Sequence, residues 1–332
     1  MSEELTGMIQ SLFSLQKGDE VAFDHLAMRI FRYQFEQIPV YGSFCKMLRL
    51  TPDKVKNYKQ IPCLPTQTFQ KHLLHDHTDK DILVFRSSST TSQTPSVHRV
   101  NDANIYIESF TKGFTEAFPE WRKAYFYALL PGYLEREDSS LVYMCEHLIK
   151  NTLGGGFYLN QFDELAAHMQ KHEEAGEPYF LLGVTYALLD FCATHPMKIK
   201  QGIIIETGGM KGKRREMCKD ELHEKLAQGF GTMHIYGEYG MTELLSQAYA
   251  RENKRYEPSA FMRVKAMEVN DPFRELGTGD AGMLHVIDLA NIHSCSFIAT
   301  SDLGRVYPDG SFEVLGRLDH AELRGCNLMI PA

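Results

Sequence analysis

The chain has 332 residues and a formal net charge of −8 at pH 7, with 43% hydrophobic and 23% charged residues. These proportions are ordinary for globular proteins and exclude a disordered, collagen-like or coiled-coil chain. The net negative charge argues against a general binder of nucleic acid or of an anionic membrane, because a phosphate surface attracts a basic face. The length predicts roughly two domains.

The start of the chain and its cysteines predict a cytoplasmic protein. Residues 1–20 are acidic and amphipathic and lack the basic segment and apolar stretch of a signal peptide. The longest apolar stretch, residues 179–193, is too short to span a bilayer. The cysteines include no CxxC pair, which is typical of reduced thiols in a cytoplasm.

In chain order, the sequence pattern predicts three regions. Residues 1–80 carry apolar residues at helical spacing and predict a mostly helical N-terminal region packed on the core. Residues 81–258 alternate strands and helices, which favours an α/β nucleotide-binding core. Residues 259–332 carry short strands and turns and predict a β-rich region. The predicted fold class is therefore α/β, with parallel sheets and flanking helices plus a smaller β-rich region.

Individual elements follow from the same patterns. In the core, strands are predicted at residues 81–85, 124–130, 179–182, 202–206 and 233–236. Helices are predicted at residues 119–125, 162–171, 184–194 and 219–228, and a turn at 154–156. Strands of the last region are predicted within residues 261–269, 282–289, 296–301 and 311–316.

A hydroxyl-rich loop, residues 87–95, follows the first predicted strand of the core and contains Ser88, Ser89, Thr90 and Thr91. Hydroxyl groups have no value in a core unless each finds a hydrogen-bond partner. After a strand, hydroxyl and backbone N–H groups can hold phosphate oxygens. A solvated linker rich in serine and threonine is the alternative.

Gly208 and Gly209 follow a second predicted strand, in the segment ETGGMKG. Glycines at the carboxyl end of a strand let the backbone approach a flat ligand, at the sheet edge where α/β proteins bind nucleotides. A tight turn explains the pair equally well. The segment is not a Walker loop, because the GxxxxGK[ST] spacing is absent.

The segment YGEYGMTELL contains Tyr239, Gly240, Thr242 and Glu243. A carboxylate after a strand and a glycine turn suits Mg²⁺, a hard ion that prefers oxygen ligands and is normally shared with substrate phosphates. The competing interpretation is the N-terminus of a helix, with Thr242 as its cap and Glu243 favoured by the helix dipole.

Asp302 in TSDLG and Arg317 in GRLD stand beside glycines, in predicted turns that flank strands. A carboxylate in such a place can accept both ribose hydroxyls, and an arginine can hold phosphate or ribose oxygens. The competing interpretation is a pair of β-turns with a surface ion pair.

Taken in order, the hydroxyl-rich loop, the glycine pair, YGMTE, TSDLG and GRLD resemble the adenylate-forming superfamily of acyl-CoA synthetases, luciferases and peptide-synthetase adenylation modules. The ETGGMKGK segment and the RGC near the end most resemble the acyl-protein synthetases of the LuxE type, and phenylacetate–CoA ligases come next. The fold that this resemblance implies is the large N-terminal domain of these enzymes without their mobile C-terminal domain.

The resemblance implies ATP as cosubstrate and Mg²⁺ as cofactor. The residues that would hold the β- and γ-phosphates are Ser88, Ser89, Thr90 and Thr91. Thr242 would contact the α-phosphate and Glu243 would hold Mg²⁺, so both would be catalytic.

The same resemblance implies where the nucleoside lies. The residues that would contact adenine are Gly208 and Gly209 on one face and Tyr239, followed by Gly240, on the other. Asp302 would bind the ribose hydroxyls with help from Arg317.

The implied reaction is attack of a carboxylate on the α-phosphate, which gives acyl-AMP and pyrophosphate and depends on charge neutralisation and alignment. In acyl-protein synthetases the acyl group then moves to a cysteine close to the C-terminus. Cys326 is in such a position, and Arg324 would favour its thiolate. We therefore expect a fatty or other carboxylic acid as substrate and an acyl reductase or acyl carrier protein as partner.

Two other functions stay open. An acyl- or aryl-CoA ligase of the phenylacetate–CoA ligase type would pass the acyl group to coenzyme A and leave Cys326 a bystander. A non-catalytic module would bind the nucleotide without turnover. Ser89 and Ser92 stand where the family usually has glycines, and this departure motivates the second alternative.

Overall fold

A computed structural model describes residues 3–76, 83–88, 94–131, 138–208, 217–251 and 254–318. The helices are α1 (Glu3–Ser14), α2 (Glu20–Gln37), α3 (Pro39–Met47), α4 (Thr68–Lys71), α5 (Ala103–Ala117), α6 (Ser140–Lys150), α7 (Phe162–Ala175), α8 (Thr185–Thr194) and α9 (Lys219–Phe230). Short 3₁₀ helices lie at Tyr58–Gln60 and Trp121–Lys123.

The strands before the middle of the chain are β1 (Leu64–Pro65), β2 (Leu83–Arg86), β3 (Val97–Val100), β4 (Tyr125–Leu129), β5 (Gly155–Tyr158), β6 (Tyr179–Val184) and β7 (Gly202–Thr207). The later strands are β8 (Ile235–Tyr239), β9 (Ala248–Ala250), β10 (Tyr256–Pro258), β11 (Met262–Glu268), β12 (Asp271–Glu275), β13 (Ala281–Asp288), β14 (Phe297–Val306) and β15 (Phe312–Arg317).

One part of the large sheet is parallel, in the order β8, β7, β6, β4, β5, and we call it the parallel half. Strand β6 (YFLLGV) is buried at every position, because helices cover both faces of such a sheet and both faces need apolar residues. Helices α8 and α9 connect β6 to β7 and β7 to β8. The predicted parallel sheet with crossover helices is confirmed.

The strands from β9 to β15 pair antiparallel with one another and are called the antiparallel half, and the short β1 pairs parallel with β14. The antiparallel half is joined to the parallel half through β9 and β10, and β10 meets β15 where Tyr256 lies opposite Phe312. We call this junction of β10 and β15 the seam. At the seam the Tyr256 and Phe312 rings stack with centroids 5.4 Å apart.

The N-terminal helices pack against the antiparallel half. The buried side chains of α2 include Phe23, Leu26, Ile30 and Phe31, which repeat at helical spacing on one face. From the same helix, the Gln34 amide donates to the backbone oxygens of residues 291 and 292 at 2.7 and 3.0 Å. The predicted helical region is therefore present, and its division from the core at residue 80 stays a prediction.

Two predicted elements differ from the structure. The helix predicted at residues 119–125 is a short 3₁₀ turn, and Tyr125 already begins β4. The turn predicted at 154–156 is the start of β5. A Cβ on Gly155 would lie 1.8 Å from the Phe126 carbonyl oxygen, so glycine is required there for close pairing with β4 and does not mark a turn. Among the described helices, none has the length and apolar character that crossing a membrane requires.

Candidate functional site

The candidate site lies where the carboxyl ends of β7 and β8 approach the seam. Gly208 follows β7 with a φ of +67°, a left-handed conformation that favours glycine. The Thr185 hydroxyl donates to the Gly208 carbonyl oxygen at 2.5 Å and fixes this turn from the start of α8. Tyr239 ends β8, and its ring packs edge-on against Phe312 at 5.2 Å between centroids. The exposed Gly240 follows it.

Tyr239, Asp302 and Arg317 form one hydrogen-bonded group. The Tyr239 hydroxyl donates to Asp302 Oδ2 at 2.8 Å, and Arg317 Nε donates to Asp302 Oδ1 at 2.9 Å. Asp302 is 7% exposed, whereas the Arg317 side chain is 60% exposed. Burial, and after it the charge of Asp302, raise the pKa of Tyr239 well above its ordinary value. The structure thus brings together three residues that the sequence analysis assigned to the nucleoside.

The predicted turns around Asp302 and Arg317 are wrong. Both residues lie within strands β14 and β15, directly opposite each other across the ladder. The ladder is irregular just beyond this pair, between Leu303 and Gly304. Glycines that resemble turn signals in the sequence therefore flank a bulge within the sheet, and the ion pair is set by strand register.

Thr242 and Glu243 lie in a turn between β8 and β9, so the interpretation as a helix N-terminus is wrong. Glu243 is 7% exposed. Burial has the largest influence on the pKa of Glu243 and raises it, while a hydrogen bond from Ser96 and the charge of Arg317 lower it less. The Glu243 carboxylate therefore faces Ser96 and the Asp302–Arg317 pair.

The base of the hydroxyl-rich loop lies beside this turn. Strands β2 and β3 form a hairpin, which is closed where the Ser87 N–H donates to the Ser96 carbonyl oxygen at 3.0 Å. Ser88 is exposed at the described end of β2. The buried Ser96, at the other end, reaches Glu243. The remaining residues assigned to this loop, and two others, lie outside the described residues: Ser89, Thr90, Thr91, Gly209 and Cys326.

The side chains of the site suit a divalent cation that binds together with substrate phosphates better than they suit an ion whose ligands all come from the protein. No group of three or more histidine, cysteine or acidic side chains gathers around a common point in the described part of the chain. Glu243 instead supplies one buried carboxylate beside Ser96. Mg²⁺ usually takes one or two carboxylates and completes its shell with water and substrate phosphates.

A largely buried charged cluster behind the site was not predicted from the sequence. Lys219 contacts Glu206 Oε1, and His223 Nε2 lies 3.5 Å from the same oxygen. Burial opposes ionisation of Glu206, but the charge of Lys219 and the contacts with His223 outweigh it and lower its pKa to about 2. The lone carboxylate at the end of the apolar strand GIIIE was the available signal.

Glu238 is the second carboxylate that the sequence analysis missed. It accepts a hydrogen bond from the Thr207 hydroxyl, which joins the ends of β7 and β8. Burial is the main cause that raises its pKa to about 7. A Cβ on Gly240 would lie 2.4 Å from Glu238 Oε1, so the carboxylate is packed directly against the glycine turn of the site.

No protein-family profile and no curated protein sequence matches the chain. Among solved structures, it is similar to ATP-bound MatB from Rhodopseudomonas palustris, with 15% identity over 73% of this chain and 49% of that one and a TM-score of 0.54. O-succinylbenzoate coenzyme A synthetase from Bacillus subtilis, in complex with ATP and a magnesium ion, has 15% identity over 70% of this chain and 49% of that one, with a TM-score of 0.52.

A third solved structure, 2-hydroxyisobutyryl-CoA ligase in complex with 2-HIB-AMP and CoA, has 11% identity over 92% of this chain and 72% of that one, with a TM-score of 0.65. The chain spans about half the length of the MatB and synthetase structures. At these identities the likeness establishes the fold, an α/β fold with one large sheet and flanking helices that matches the N-terminal domain of adenylate-forming enzymes.

Proposed function

We propose that this protein activates a carboxylic acid with ATP and forms an acyl-adenylate and pyrophosphate. The observation that carries the proposal is the convergence of Tyr239, Glu243, Asp302 and Arg317 at the seam. Tyr239 and Asp302 are 63 positions apart in the chain and are joined by one hydrogen bond. These are the residues that the order of motifs assigned to a single nucleotide.

The nucleoside part of ATP suits the Asp302 group. Each Asp302 oxygen accepts one protein hydrogen bond, and a carboxylate oxygen has capacity for another, so both ribose hydroxyls can donate to it. Arg317 uses Nε for Asp302 and retains the other donors of its exposed guanidinium for ribose or phosphate oxygens. The Tyr239 ring and the exposed Gly208 backbone would bound the adenine.

The phosphates suit the opposite side of the site. Ser88 and the rest of the hydroxyl-rich loop would hold the β- and γ-phosphates, and Thr242 would contact the α-phosphate. Mg²⁺, bound with the nucleotide at Glu243, would supply charge neutralisation as the pyrophosphate leaves. The solved structures with ATP and a magnesium ion, and with an acyl-AMP, support ATP and Mg²⁺ as ligands of this fold.

For the acceptor of the acyl group, we favour transfer from the acyl-adenylate to the Cys326 thiol, which forms a thioester and releases AMP, as in an acyl-protein synthetase that uses a fatty acid. The support for this step is the resemblance of the sequence around Cys326. An acyl reductase or a carrier protein would then receive the acyl group. Coenzyme A is the second candidate acceptor, because 2-hydroxyisobutyryl-CoA ligase carries an acyl-AMP together with CoA and its likeness extends over 92% of this chain.

ATP–pyrophosphate exchange with a panel of carboxylic acids tests the activation step. We expect exchange that depends on one class of acid and is lost in Glu243→Gln and in Asp302→Asn. The matched control is Glu268→Gln, which alters a carboxylate in a surface ion pair with Arg274 and should leave the exchange rate unchanged. Binding of ATP without exchange for any acid would favour the non-catalytic module.

A labelled fatty acid with ATP tests the acceptor. We expect a protein-bound thioester that hydroxylamine cleaves and that is absent in Cys326→Ala. Cys218 is an exposed cysteine of the described chain, so Cys218→Ala is the control and should retain the label. Label that persists in Cys326→Ala would contradict the assignment, and formation of acyl-CoA on addition of coenzyme A would favour the second candidate.

A further inference from the structure

The turn that carries Thr242 and Glu243 is held from behind by two buried side chains. His98 Nδ1 lies 2.7 Å from the Thr242 carbonyl oxygen, and Asn291 Nδ2 donates to the Glu243 carbonyl oxygen at 2.8 Å. Each of the two side chains is 1% exposed. Two consecutive peptide groups of the turn are therefore tied to elements that are distant in the chain.

The contact with a carbonyl oxygen determines that one particular nitrogen of His98 carries a proton. A carbonyl oxygen only accepts hydrogen bonds, so Nδ1 must carry the proton. In the neutral ring Nε2 is then the acceptor, and it has no hydrogen-bond partner among the described residues. The Phe69 ring packs edge-on against the imidazole, with centroids 5.6 Å apart, and restricts its rotation. His98 therefore donates one hydrogen bond, to the Thr242 carbonyl oxygen.

The same strand reaches the turn at a second point. Ser96 directly precedes β3 and lies two positions before His98, so in extended backbone their side chains point to the same side. Ser96 bonds to the Glu243 side chain, and His98 to the backbone of the preceding residue. The segment from Ser96 to His98 is therefore attached to the turn through both contacts.

The other support comes from a loop that begins at Asp288, the last residue of β13. Asp288 Oδ2 accepts from the Leu245 and Ser246 N–H groups, each at 2.8 Å, and Asn291 lies three positions further on. This loop therefore holds the end of the turn through Asp288 and its middle through Asn291. Together, β3 and this loop fix the turn from two directions.

We propose that His98 and Asn291 are positioning residues that hold Thr242 and Glu243 in the place where the triphosphate and its Mg²⁺ would bind. The inference rests on the proposed function for its role in nucleotide binding. It goes beyond that function by assigning two residues that contact neither the nucleotide nor the metal. Loss of either donor leaves a buried carbonyl oxygen unpaired, so the turn shifts to find another partner.

Two measurements test the proposal: the equilibrium affinity for ATP with and without Mg²⁺, and amide hydrogen exchange of Leu244, Leu245 and Ser246. For His98→Ala and Asn291→Asp, we expect faster exchange at these three amides. We also expect about tenfold weaker affinity for ATP in the presence of Mg²⁺, the effect of one lost buried hydrogen bond. Without Mg²⁺ the affinity should change less, because Glu243 then has no ion to hold.

Two substitutions of His98 separate positioning from a general packing role. Asparagine places its amide nitrogen near the position of Nδ1 and can donate to Thr242, whereas glutamine places it near Nε2. We therefore expect His98→Asn to recover affinity and slow exchange, and His98→Gln to fail. The matched control is His172→Gln, a histidine that is 4% exposed and bonded to Tyr127 and Glu177 at the other end of the parallel half.

Unchanged exchange and affinity in both His98→Ala and Asn291→Asp would overturn the proposal. Equal losses in His98→Asn and His98→Gln, or in the His172→Gln control, would overturn it in favour of a packing role. Wild-type protein that binds no ATP would refute the proposed function. In that case, hydrogen exchange at residues 244–246 still decides whether the two side chains hold the turn.

Discussion

In the parallel half of the sheet the candidate site residues lie at or beyond the carboxyl ends of strands, whereas in the antiparallel half they are paired with each other across a ladder. Gly208, Tyr239 and Glu243 follow or end β7 and β8, while Asp302 and Arg317 face each other across β14 and β15. The parallel half therefore contributes loop backbone and a ring, and the antiparallel half contributes a charged pair.

The difference shows two ways to hold a side chain in place. At strand ends there is no ladder beyond the last pair, and buried charges brace the loops: Glu206 with Lys219, and Glu238 with Thr207. Within strands the ladder itself does the positioning, because a slip by one residue would turn Asp302 to the opposite face. Substitution of the bracing residues in the first half should thus cost stability, and substitution of the paired residues in the second should cost nucleotide affinity.

The largest expected effect is that of Lys219→Met in the parallel half. It leaves Glu206, whose side chain is fully buried, without its nearest cation, and should lower the free energy of unfolding by about 3–5 kcal/mol. Urea unfolding measures the loss, and the double variant Glu206→Gln with Lys219→Met should recover most of it. Lys225→Met, which breaks a half-exposed pair with Glu221, is the control. Equal losses in the two single variants would refute the bracing role.

Glu238→Gln should show a pH-dependent gain in stability. Because burial raises the pKa of Glu238 from 4.5 to about 7, the folded protein favours its protonated form. This preference for the protonated form contributes to the free energy of unfolding. The contribution is fully present below pH 4.5 and is lost as the pH rises through about 7. The variant cannot ionise at this position. Its free energy of unfolding should exceed that of wild type by up to about 3 kcal/mol at high pH and should equal it at low pH. Parallel pH dependences in the two proteins would contradict this account.

Arg317→Gln tests the antiparallel half. The Arg317 side chain is 60% exposed, so its ion pair with Asp302 should contribute less than about 1 kcal/mol to stability. Affinity for ATP should nevertheless fall about tenfold, because a bidentate donor to ribose or phosphate is lost. Calorimetric titration with ATP, together with urea unfolding, measures both. If Arg317→Gln loses stability and keeps its affinity for ATP, the expected difference between the two halves is wrong.

The smallest expected effect is that of Tyr239→Phe, which joins the two halves. The ring stays packed on Phe312, and Asp302 loses one donor, so ATP affinity should fall about fivefold and stability by about 1 kcal/mol. Tyr249→Phe is the control, because the Tyr249 hydroxyl is buried and has no partner in the described structure. A similar fall in affinity in both variants would argue against a specific role of the Tyr239 hydroxyl.

Most strands of the fold could be predicted from sequence, because burial on both faces of a parallel sheet requires continuous apolar residues, as in β4 and β6. Asp302 and Arg317 could be selected from the sequence as candidate site residues, but their position in the sheet could not be predicted. Their neighbouring glycines resemble turn signals, and pairing across a ladder depends on register between distant segments. The predicted division into three regions remains untested.

The residues that escaped prediction share one property, which is that their partners come from other elements. Glu206 is a lone carboxylate in an apolar strand, and neither its spacing nor its neighbours in sequence indicate Lys219. His98 and Asn291 contact the turn only through its backbone. Because every residue has a backbone carbonyl oxygen, the residue types in the turn do not indicate these contacts. Patterns along the chain reveal strands and loops, but they do not reveal which side chains meet.

The docking of the N-terminal helices has a consequence for how the chain is made. The Gln34 amide bonds to the Ser296 hydroxyl, 262 positions later, and Leu64 of β1 pairs with Ile298. A polypeptide leaving the ribosome therefore presents the apolar face of α2 long before its binding surface has been translated. Closing such long loops is slow, and exposed apolar surface invites aggregation in the meantime. Nascent chains arrested before residue 296 should accordingly be held by chaperones that recognise apolar segments.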